Sequence, residues 1–176
     1  MRREVENVIL TLGGGSSSRH HIQSIVDMLN HVEGDFNVNV IMGPLSDRRR
    51  VEVRTSKHPV NVISDPASMR ELMLKADLAI SAGGQTLFEL CATGTPTIGI
   101  ECASNQTINL RAFEATDALW FAGPIGENET LQRAIEMMQQ LFENYETRTK
   151  MSCAQKRLVD GKGAQRTSSV MANMLS

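Results

Sequence analysis

The segment from Ser81 to Glu89 carries the residue types best suited to bind a phosphorylated ligand. Gly83 and Gly84 join an apolar run to a helical pattern, and glycines at such a turn expose backbone amides to an anion. The positive end of the helix dipole adds a favourable field for a diphosphate. Thr86, which follows Gln85, can cap the helix or donate to a phosphate oxygen. The spacing therefore predicts a phosphate site at this turn.

One carboxylate, Glu89, follows Gly84 by five residues and lies in the first turns of the same predicted helix. It can accept hydrogen bonds from both hydroxyls of a ribose, but it would repel a phosphate. The pattern thus predicts phosphate on the amides and sugar on the acid. The alternative is that Glu89 is a solvated charge on the helix surface. Because the two residues on each side of it are apolar, we expect a largely buried helix, in which a carboxylate needs a partner.

A second glycine-rich turn, Leu12-Gly13-Gly14-Gly15-Ser16, also joins a strand pattern to a helical one. Gly13 and Gly14 would let the backbone approach a ligand closely, and the free amides at the helix start would attract an anion. The G-x-G-x-x-G spacing of a dinucleotide site is absent, and no lysine follows as in a P-loop. A flexible tight turn without a ligand is the alternative.

Polar residues after two other strands are further candidates. Asn105 and Gln106 can hydrogen-bond the hydroxyls or the N-acetyl group of a sugar, and Asn105 can also cap a helix. Either His20 or His21 can transfer a proton near the first glycine turn, although an exposed helix start explains both. Asp65 is interpreted as a helix cap. The sequence offers no paired carboxylates, metal-ligand cluster or nucleophile triad, so catalytic residues stay unassigned and neither a metal nor a cofactor is predicted.

The elements that must position these residues are short apolar runs alternating with helical patterns. Strands are predicted at 8–12, 36–42, 60–63, 78–81, 97–100 and 118–121. Helices are predicted at 20–31, 65–76, 86–92, 106–114, 129–144, 147–158 and 164–174, with 47–57 as a short helix or a loop. The alternation predicts an α/β fold, a single Rossmann-like domain with a doubly wound parallel sheet of about six strands. Ligands of such sheets bind beyond the carboxyl ends of the strands, where Gly43 and Ser64-Asp65 also lie.

Composition excludes several classes of function. The chain has 176 residues, a net charge of -2 and only 4% aromatic residues, so neither a basic nucleic-acid surface nor a base-stacking surface is expected. Its three cysteines are Cys91, Cys102 and Cys153, which lack metal-ligand spacing and predict reduced thiols in a cytoplasmic protein. The first seven residues are too polar for a signal peptide, and no apolar run approaches the ~20 residues that span a membrane.

Several strings together resemble one known family. They are Ala76 to Leu90, Gly94-Thr95-Pro96-Thr97 with Asn105-Gln106, Leu10 to Ser16, and Met151-Ser152 with Val159 to Arg166. These strings resemble the C-terminal domain of the pseudaminic-acid-pathway UDP-sugar hydrolases, which belong with the SpsG-like spore-coat polysaccharide proteins. That group is related to the MurG-type N-acetylglucosaminyltransferases of the GT-B architecture. The resemblance covers nearly the whole chain and implies the C-terminal half of a GT-B fold.

The resemblance also implies roles for individual residues. Gly83, Gly84, Gln85 and Thr86 would hold the diphosphate of UDP, and Glu89 would bind the ribose. The backbone of Ile63 would face uracil, and Asn105 and Gln106 would face the sugar. Gly13 and Gly14 would line the cleft toward the anomeric carbon.

Members of that family cleave UDP from a 2,4-diacetamido-trideoxyhexose with water and without a metal. Their catalytic histidine lies in a preceding domain, so we expect residues 1–176 to form one UDP-sugar-binding domain that needs an N-terminal catalytic domain or partner subunit. Two alternatives stay open. In the first alternative, the chain is the nucleotide-sugar subunit of a split glycosyltransferase that uses UDP-GlcNAc. In the second, it is a non-catalytic nucleotide-sugar-binding module.

Overall fold

A parallel sheet organises the chain in a computed structural model that describes residues 2–13, 19–43 and 56–174. Six strands are present in these residues: β1 (Asn7–Thr11), β2 (Asn37–Met42), β3 (Val60–Ser64), β4 (Leu78–Ala82), β5 (Thr97–Glu101) and β6 (Trp120–Pro124). Their order across the sheet is β3-β2-β1-β4-β5-β6, and every neighbouring pair is parallel. The predicted α/β class and the doubly wound sheet are therefore confirmed.

Helices cover both faces of the sheet. They are α1 (Arg19–Leu29), α2 (Met69–Lys75), α3 (Thr86–Thr93), α4 (Thr107–Glu114), α5 (Asn128–Glu143), α6 (Tyr145–Leu158) and α7 (Gly163–Met174). Alternation along the central strand divides the core, because successive side chains of a strand point to opposite faces. Leu10 packs in the large cluster that contains Ile25 and Met138, whereas Ile9 packs with Met73 and Leu90 on the other face.

Several predicted boundaries are confirmed, and the end of α3 shows why. Gly94 follows the helix with a φ of 70°, a left-handed conformation that glycine adopts without a steric penalty. Its backbone N–H donates to the carbonyl groups at the end of the helix, so the predicted stop lies where the chain turns into β5.

The start of α2 was predicted wrongly. Asp65 does not cap a helix, and Pro66 does not open one: Asp65 has a φ of 51°, and α2 begins at Met69. Ser68 is the cap, because its hydroxyl accepts a hydrogen bond from the N–H of Glu71 at 3.3 Å. The sixth strand was also misplaced, since β6 begins two residues later than predicted, after the left-handed turn at Asp117. Both errors arose where a residue with positive φ lengthened a turn.

Two buried ionic groups fix the start of β1. The carboxylate of Asp77 accepts hydrogen bonds from the backbone N–H groups of Glu6 and Asn7 at 3.1 and 3.0 Å and pairs with Arg2 at 3.2 Å. The fully buried guanidinium of Arg148 donates to the carbonyls of Leu141, Phe142, Arg2 and Arg3. These bonds join the first residues of the domain to the α5–α6 junction.

Candidate functional site

The carboxyl ends of β1 and β4 form the switch point of the sheet. The chain crosses from β1 to β2 on one side, whereas β4 lies on the other side of β1, with Thr11 opposite Ser81. At such a switch point a crevice lies beyond the carboxyl ends of the two strands. Gly13 and Gly83 lie just beyond these paired residues. Gly14, the other candidate in the first loop, lies outside the described residues.

A cavity of about 280 Å³ occupies this crevice. Three of the sequence-predicted residues line it together, namely Gly13, Thr86 and Glu89. The rest of its wall comes from the ends of the first three strands and the approach to α2: Thr11, Ile41, Met42, Gly43, Asp65, Pro66 and Met69. Gly43 and Asp65 were predicted to lie at strand ends, but no binding role was assigned to either residue. Only the pairing of β1, β2 and β3 brings these wall residues to one cavity.

The start of α3 presents unused hydrogen-bond donors to this region. Leu87 and Phe88 already donate their N–H groups to the carbonyls of Gly84 and Gln85, at 3.1 and 3.0 Å. Neither helix-start residue, Gln85 or Thr86, supplies a side-chain cap, so of the two roles considered for Thr86 the capping one is not observed. Within the described residues, nothing accepts from the N–H groups of Gly84, Gln85 and Thr86. These donors, at the positive end of the helix dipole, suit an anion.

Glu89 lies one turn further along α3, and its environment differs from the expected one. The side chain is exposed, not enclosed by its apolar neighbours, and Phe88 beside it is also partly exposed. The expectation of a largely buried helix was wrong on this side, because the buried stripe of α3 consists of Leu87, Leu90 and Cys91. The exposed carboxylate consequently needs no protein partner and is available as an acceptor at the cavity that Glu89 helps to line.

Gly83 has a packing role that the sequence did not reveal. A Cβ atom at this position would lie 2.7 Å from Gln106 Cβ and 2.7 Å from Leu110 Cγ, so α4 packs directly against the glycine backbone. The N–H of Gly83 donates to Gln106 Oε1 at 3.4 Å, which makes it unavailable as a free amide for phosphate. Gly84 differs, since no atom lies within 4 Å of the corresponding Cβ position.

The Asn105–Gln106 pair lies in a short 3-10 turn, Ser104–Gln106, ahead of α4. Asn105 is exposed and does not cap the helix, which corrects the predicted N-cap. Gln106 is half-buried, and its Oε1 also accepts the N–H of Cys102 at 3.0 Å.

Burial, and secondarily the charge of Glu101, raises the pKa of the Cys102 thiol to about 11. This thiol is therefore neutral near pH 7.

Ile63 lies at the carboxyl end of the edge strand β3, opposite Ile41. The bonds from Val38 N–H to Pro59 and from Asp65 N–H to Met42 set the alternation of the ladder. In this alternation the N–H and C=O of Ile63 point toward β2. The backbone contact to uracil implied by the family resemblance would therefore compete with a sheet hydrogen bond.

Among the residues that the structure describes, no histidine lines the cavity. His21 is half-buried on α1, and the side chain of His20 lies outside the described part of the chain. His58 is buried, stacks on Phe36 with ring centroids 3.8 Å apart, and places Nε2 3.2 Å from the carbonyl of Val32. These contacts give His58 a structural role. In the described ranges, no group of three His, Cys, Asp or Glu residues is arranged to hold a metal ion.

A larger groove of about 720 Å³ runs beside α3, between α4 and the α6–α7 connection. Its lining is mainly apolar and includes Phe88, Phe113 and Leu158, with Glu89 on its rim as well. Gln85, in the turn after β4, also lines this groove, but its other lining residues belong to α3, to α4 and the turn after it, and to the α6–α7 region, and not to the strand ends, where ligands of parallel sheets bind. The smaller cavity at the switch point is therefore the candidate ligand site.

Known sequences show which proteins this arrangement resembles. The glycosyltransferase family 28 C-terminal domain matches residues 8–164. The spore coat polysaccharide biosynthesis protein SpsG of Bacillus subtilis (strain 168) is 26% identical over 181 residues, which cover 99% of this chain and 52% of that protein. The pseudaminic acid cytidylyltransferase and UDP-2,4-diacetamido-2,4,6-trideoxy-beta-L-altropyranose hydrolase of Helicobacter pylori is 34% identical over 113 residues, 64% of this chain and 20% of its own length.

Two further matches are transferases. A UDP-N-acetylglucosamine–N-acetylmuramyl-(pentapeptide) pyrophosphoryl-undecaprenol N-acetylglucosamine transferase of Gloeobacter violaceus is 34% identical over 124 residues, 66% of this chain and 34% of its own length. The crystal structure of MurG from Acinetobacter baumannii superposes with a TM-score of 0.71 at 17% identity, over 98% of this chain and 51% of that one. The chain thus spans about half the length of SpsG and of this MurG structure.

Proposed function

The chain belongs to the glycosyltransferase family 28 C-terminal domains, and on that premise we propose that it is the UDP-sugar-binding half of a nucleotide-sugar hydrolase. The proposed substrate class is a UDP-2,4-diacetamido-2,4,6-trideoxyhexose of surface polysaccharide or pseudaminic acid biosynthesis. One observation carries the proposal: Thr86, the last of three residues with unused amides at the start of α3, and Glu89, with an exposed carboxylate, line the same cavity at the switch point. Donors for a diphosphate and an acceptor for sugar hydroxyls meet there.

In the proposed complex the diphosphate lies on the N–H groups of Gly84, Gln85 and Thr86. The helix dipole favours the negative charge, and no protein acceptor in the described residues competes for these donors. Glu89, one turn later, accepts from the ribose hydroxyls. Its separation from the helix start keeps the carboxylate away from the phosphates, which it would otherwise repel.

In the proposed complex the two ends of the ligand extend beyond the diphosphate and ribose contacts. We place uracil at the carboxyl end of β3 beside Ile63, with a backbone contact that requires one hydrogen bond between Ile63 and β2 to open. Gly13 lies on the side of the anomeric carbon, and Gly14 is proposed to continue that surface. Asn105, exposed ahead of α4, is available to the sugar.

Catalysis in this proposal requires a second domain, supplied by the same polypeptide or by a partner subunit. The relatives that match are about twice as long or longer. Every described side chain of α7 is exposed, including Val170, Met171 and Met174 at 58%, 59% and 81%. A 12-residue helix is marginal in water without tertiary packing. We propose that the second domain covers this apolar face, because nothing in the described residues does.

Titration calorimetry with UDP and with UDP-GlcNAc tests the binding proposal directly. We expect saturable 1:1 binding of UDP, and binding of the UDP-sugar with comparable or higher affinity. A folded protein that binds neither ligand at millimolar concentration would contradict the proposal. The hydrolase assignment is tested by adding the second domain and a UDP-diacetamido-trideoxyhexose, and by following UDP release in the absence of an acceptor.

A split glycosyltransferase is the second candidate, favoured by the 34% identity with the Gloeobacter transferase over 66% of this chain. In that case the reconstituted protein consumes UDP-GlcNAc only when an acceptor is also present. Release of UDP that depends on an acceptor would exclude the hydrolase, whereas release with water alone would exclude the transferase. Binding without turnover in either mixture would indicate the non-catalytic module.

A further inference from the structure

One side-chain oxygen of Gln106, the residue that precedes α4, holds two loops of the proposed site together. Oε1 of Gln106 accepts the N–H of Gly83 at 3.4 Å and the N–H of Cys102 at 3.0 Å. Gly83 follows β4, and Cys102 follows β5. The amide of Gln106 therefore cross-links the loops at the ends of two neighbouring strands, one of which leads into the anion-binding turn.

Asn109, three residues later, holds the opposite polar group of the same glycine. Its Nδ2 donates to the carbonyl oxygen of Gly83 at 3.2 Å. Residues three apart lie on one face of a helix, so Gln106 and Asn109 grip Gly83 from one side. The close approach of Gln106 Cβ to the Cβ position of Gly83, 2.7 Å, shows that only a glycine permits this contact without a shift.

We propose that Gln106 and Asn109 are positioning residues for the diphosphate. The inference rests on the proposed function. By engaging both polar groups of Gly83, they set the direction of the turn and leave the next three N–H groups, of Gly84, Gln85 and Thr86, to the ligand. Donors that are ordered before binding hold an anion more tightly, because no conformational entropy is lost in arranging them. Gln106 thus acts through Gly83 and not through the direct sugar contact predicted from its position in the sequence.

Binding of inorganic pyrophosphate and of UDP distinguishes a positioning role of Gln106 from a direct contact between Gln106 and the sugar. In the positioning role, Gln106→Met and Asn109→Leu each weaken the binding of both ligands by the same factor. We expect about fivefold, which corresponds to the one hydrogen bond to Gly83 that each variant removes. The matched control is Asn37→Leu, which removes a side-chain hydrogen bond to the carbonyl of Glu6 at the amino end of the sheet and leaves both affinities unchanged. Thermal denaturation of each variant confirms that it is folded at the temperature of titration.

A conservative variant adds a spectroscopic readout. Gln106→Glu keeps an oxygen acceptor at this position, so the amide proton shifts of Gly83 and Cys102 stay close to those of the wild type, whereas Gln106→Met moves both upfield. The added charge of the glutamate repels pyrophosphate, and its effect relative to the wild type shrinks as salt rises. The loss in Gln106→Met is independent of salt.

The outcomes distinguish this inference from the proposed function. If the wild type binds UDP but Gln106→Met and Asn109→Leu keep full affinity for pyrophosphate, the positioning role is wrong. Loss confined to UDP-GlcNAc in Gln106→Met would restore the direct sugar contact. If the folded wild type binds neither UDP nor pyrophosphate, the proposed function itself fails.

Discussion

Glu89 lies one helical turn after Thr86 on α3, and both side chains line the cavity at the switch point of the sheet. This arrangement places a free carboxylate three to five residues after the three unused amide donors of Gly84, Gln85 and Thr86. The two groups prefer opposite partners, since the amides attract an anion and the carboxylate attracts hydroxyls. A ligand that satisfies both has a diphosphate joined to a sugar, and a nucleoside diphosphate is such a ligand.

Glu89→Ala should weaken UDP binding by about 10- to 100-fold, as expected for hydrogen bonds to a charged group. Pyrophosphate should bind with unchanged or slightly higher affinity, because the variant removes a negative charge near the diphosphate. Calorimetry with both ligands measures the two effects, and Glu143→Ala, an exposed glutamate at the end of α5, is the control. Equal losses for UDP and pyrophosphate would contradict the ribose role.

Gly83→Ala and Gly84→Ala should differ in stability although the residues are adjacent. Alanine at position 83 brings its Cβ to 2.7 Å from Gln106 and Leu110, and overpacking of this kind costs roughly 1–3 kcal/mol. At position 84 no atom lies within 4 Å of the new Cβ, so the free energy of unfolding should change by less than ~1 kcal/mol. Urea denaturation of both variants measures the contrast, and equal destabilisation would show that the turn is not packed as described.

Arg148→Met should destabilise the domain by about 3 kcal/mol or more, because it removes buried donors from four backbone carbonyls. The methionine keeps part of the apolar stem but supplies no N–H group. Arg70→Met, at an exposed position on α2, should change the free energy of unfolding by less than ~0.5 kcal/mol. A small effect at Arg148 would mean that water replaces the guanidinium at those carbonyls.

The three cysteines should react with a thiol reagent in a fixed order. Cys153 is exposed and should be labelled first at pH 8. Burial raises the pKa of Cys91 to about 12, and burial with the Glu101 charge raises that of Cys102 to about 11, so neither forms much thiolate in the folded protein. Mass spectrometry of timed samples measures the order, and rapid labelling of Cys91 in the native protein would contradict its burial.

The same pKa shifts predict a loss of stability in alkali. A thiol with an ordinary pKa of 9.0 ionises more readily in the unfolded chain than Cys91 does in the folded one. The contribution of the neutral buried thiol is complete below pH 9 and decreases as the pH rises toward 12. Cys91→Ala should therefore show a shallower decrease in the free energy of unfolding between pH 9 and 11. Parallel pH profiles for the variant and the wild type would contradict this.

Local patterns in the sequence determined most of the fold. Strand and helix periodicity and the helix stop at Gly94 are set by a few consecutive residues, and these predictions were confirmed apart from the starts of α2 and β6. The family resemblance was likewise carried by contiguous strings, and the match to residues 8–164 supports it. The glycine turn with Glu89 could also be recognised, since all its members lie within seven consecutive residues, 83–89.

Only the tertiary structure decided how those residues are used. Whether Glu89 is buried depends on which elements pack on that side of α3, and the apolar neighbours in sequence suggested the wrong answer. Gly83 and Gln106 are 23 residues apart, so no local pattern indicates that the glutamine takes up the amide of the glycine. Asp65 reaches the cavity because β3 and β1 end at the same edge of the sheet. Such contacts between distant residues follow from strand order and packing, which short-range periodicity does not encode.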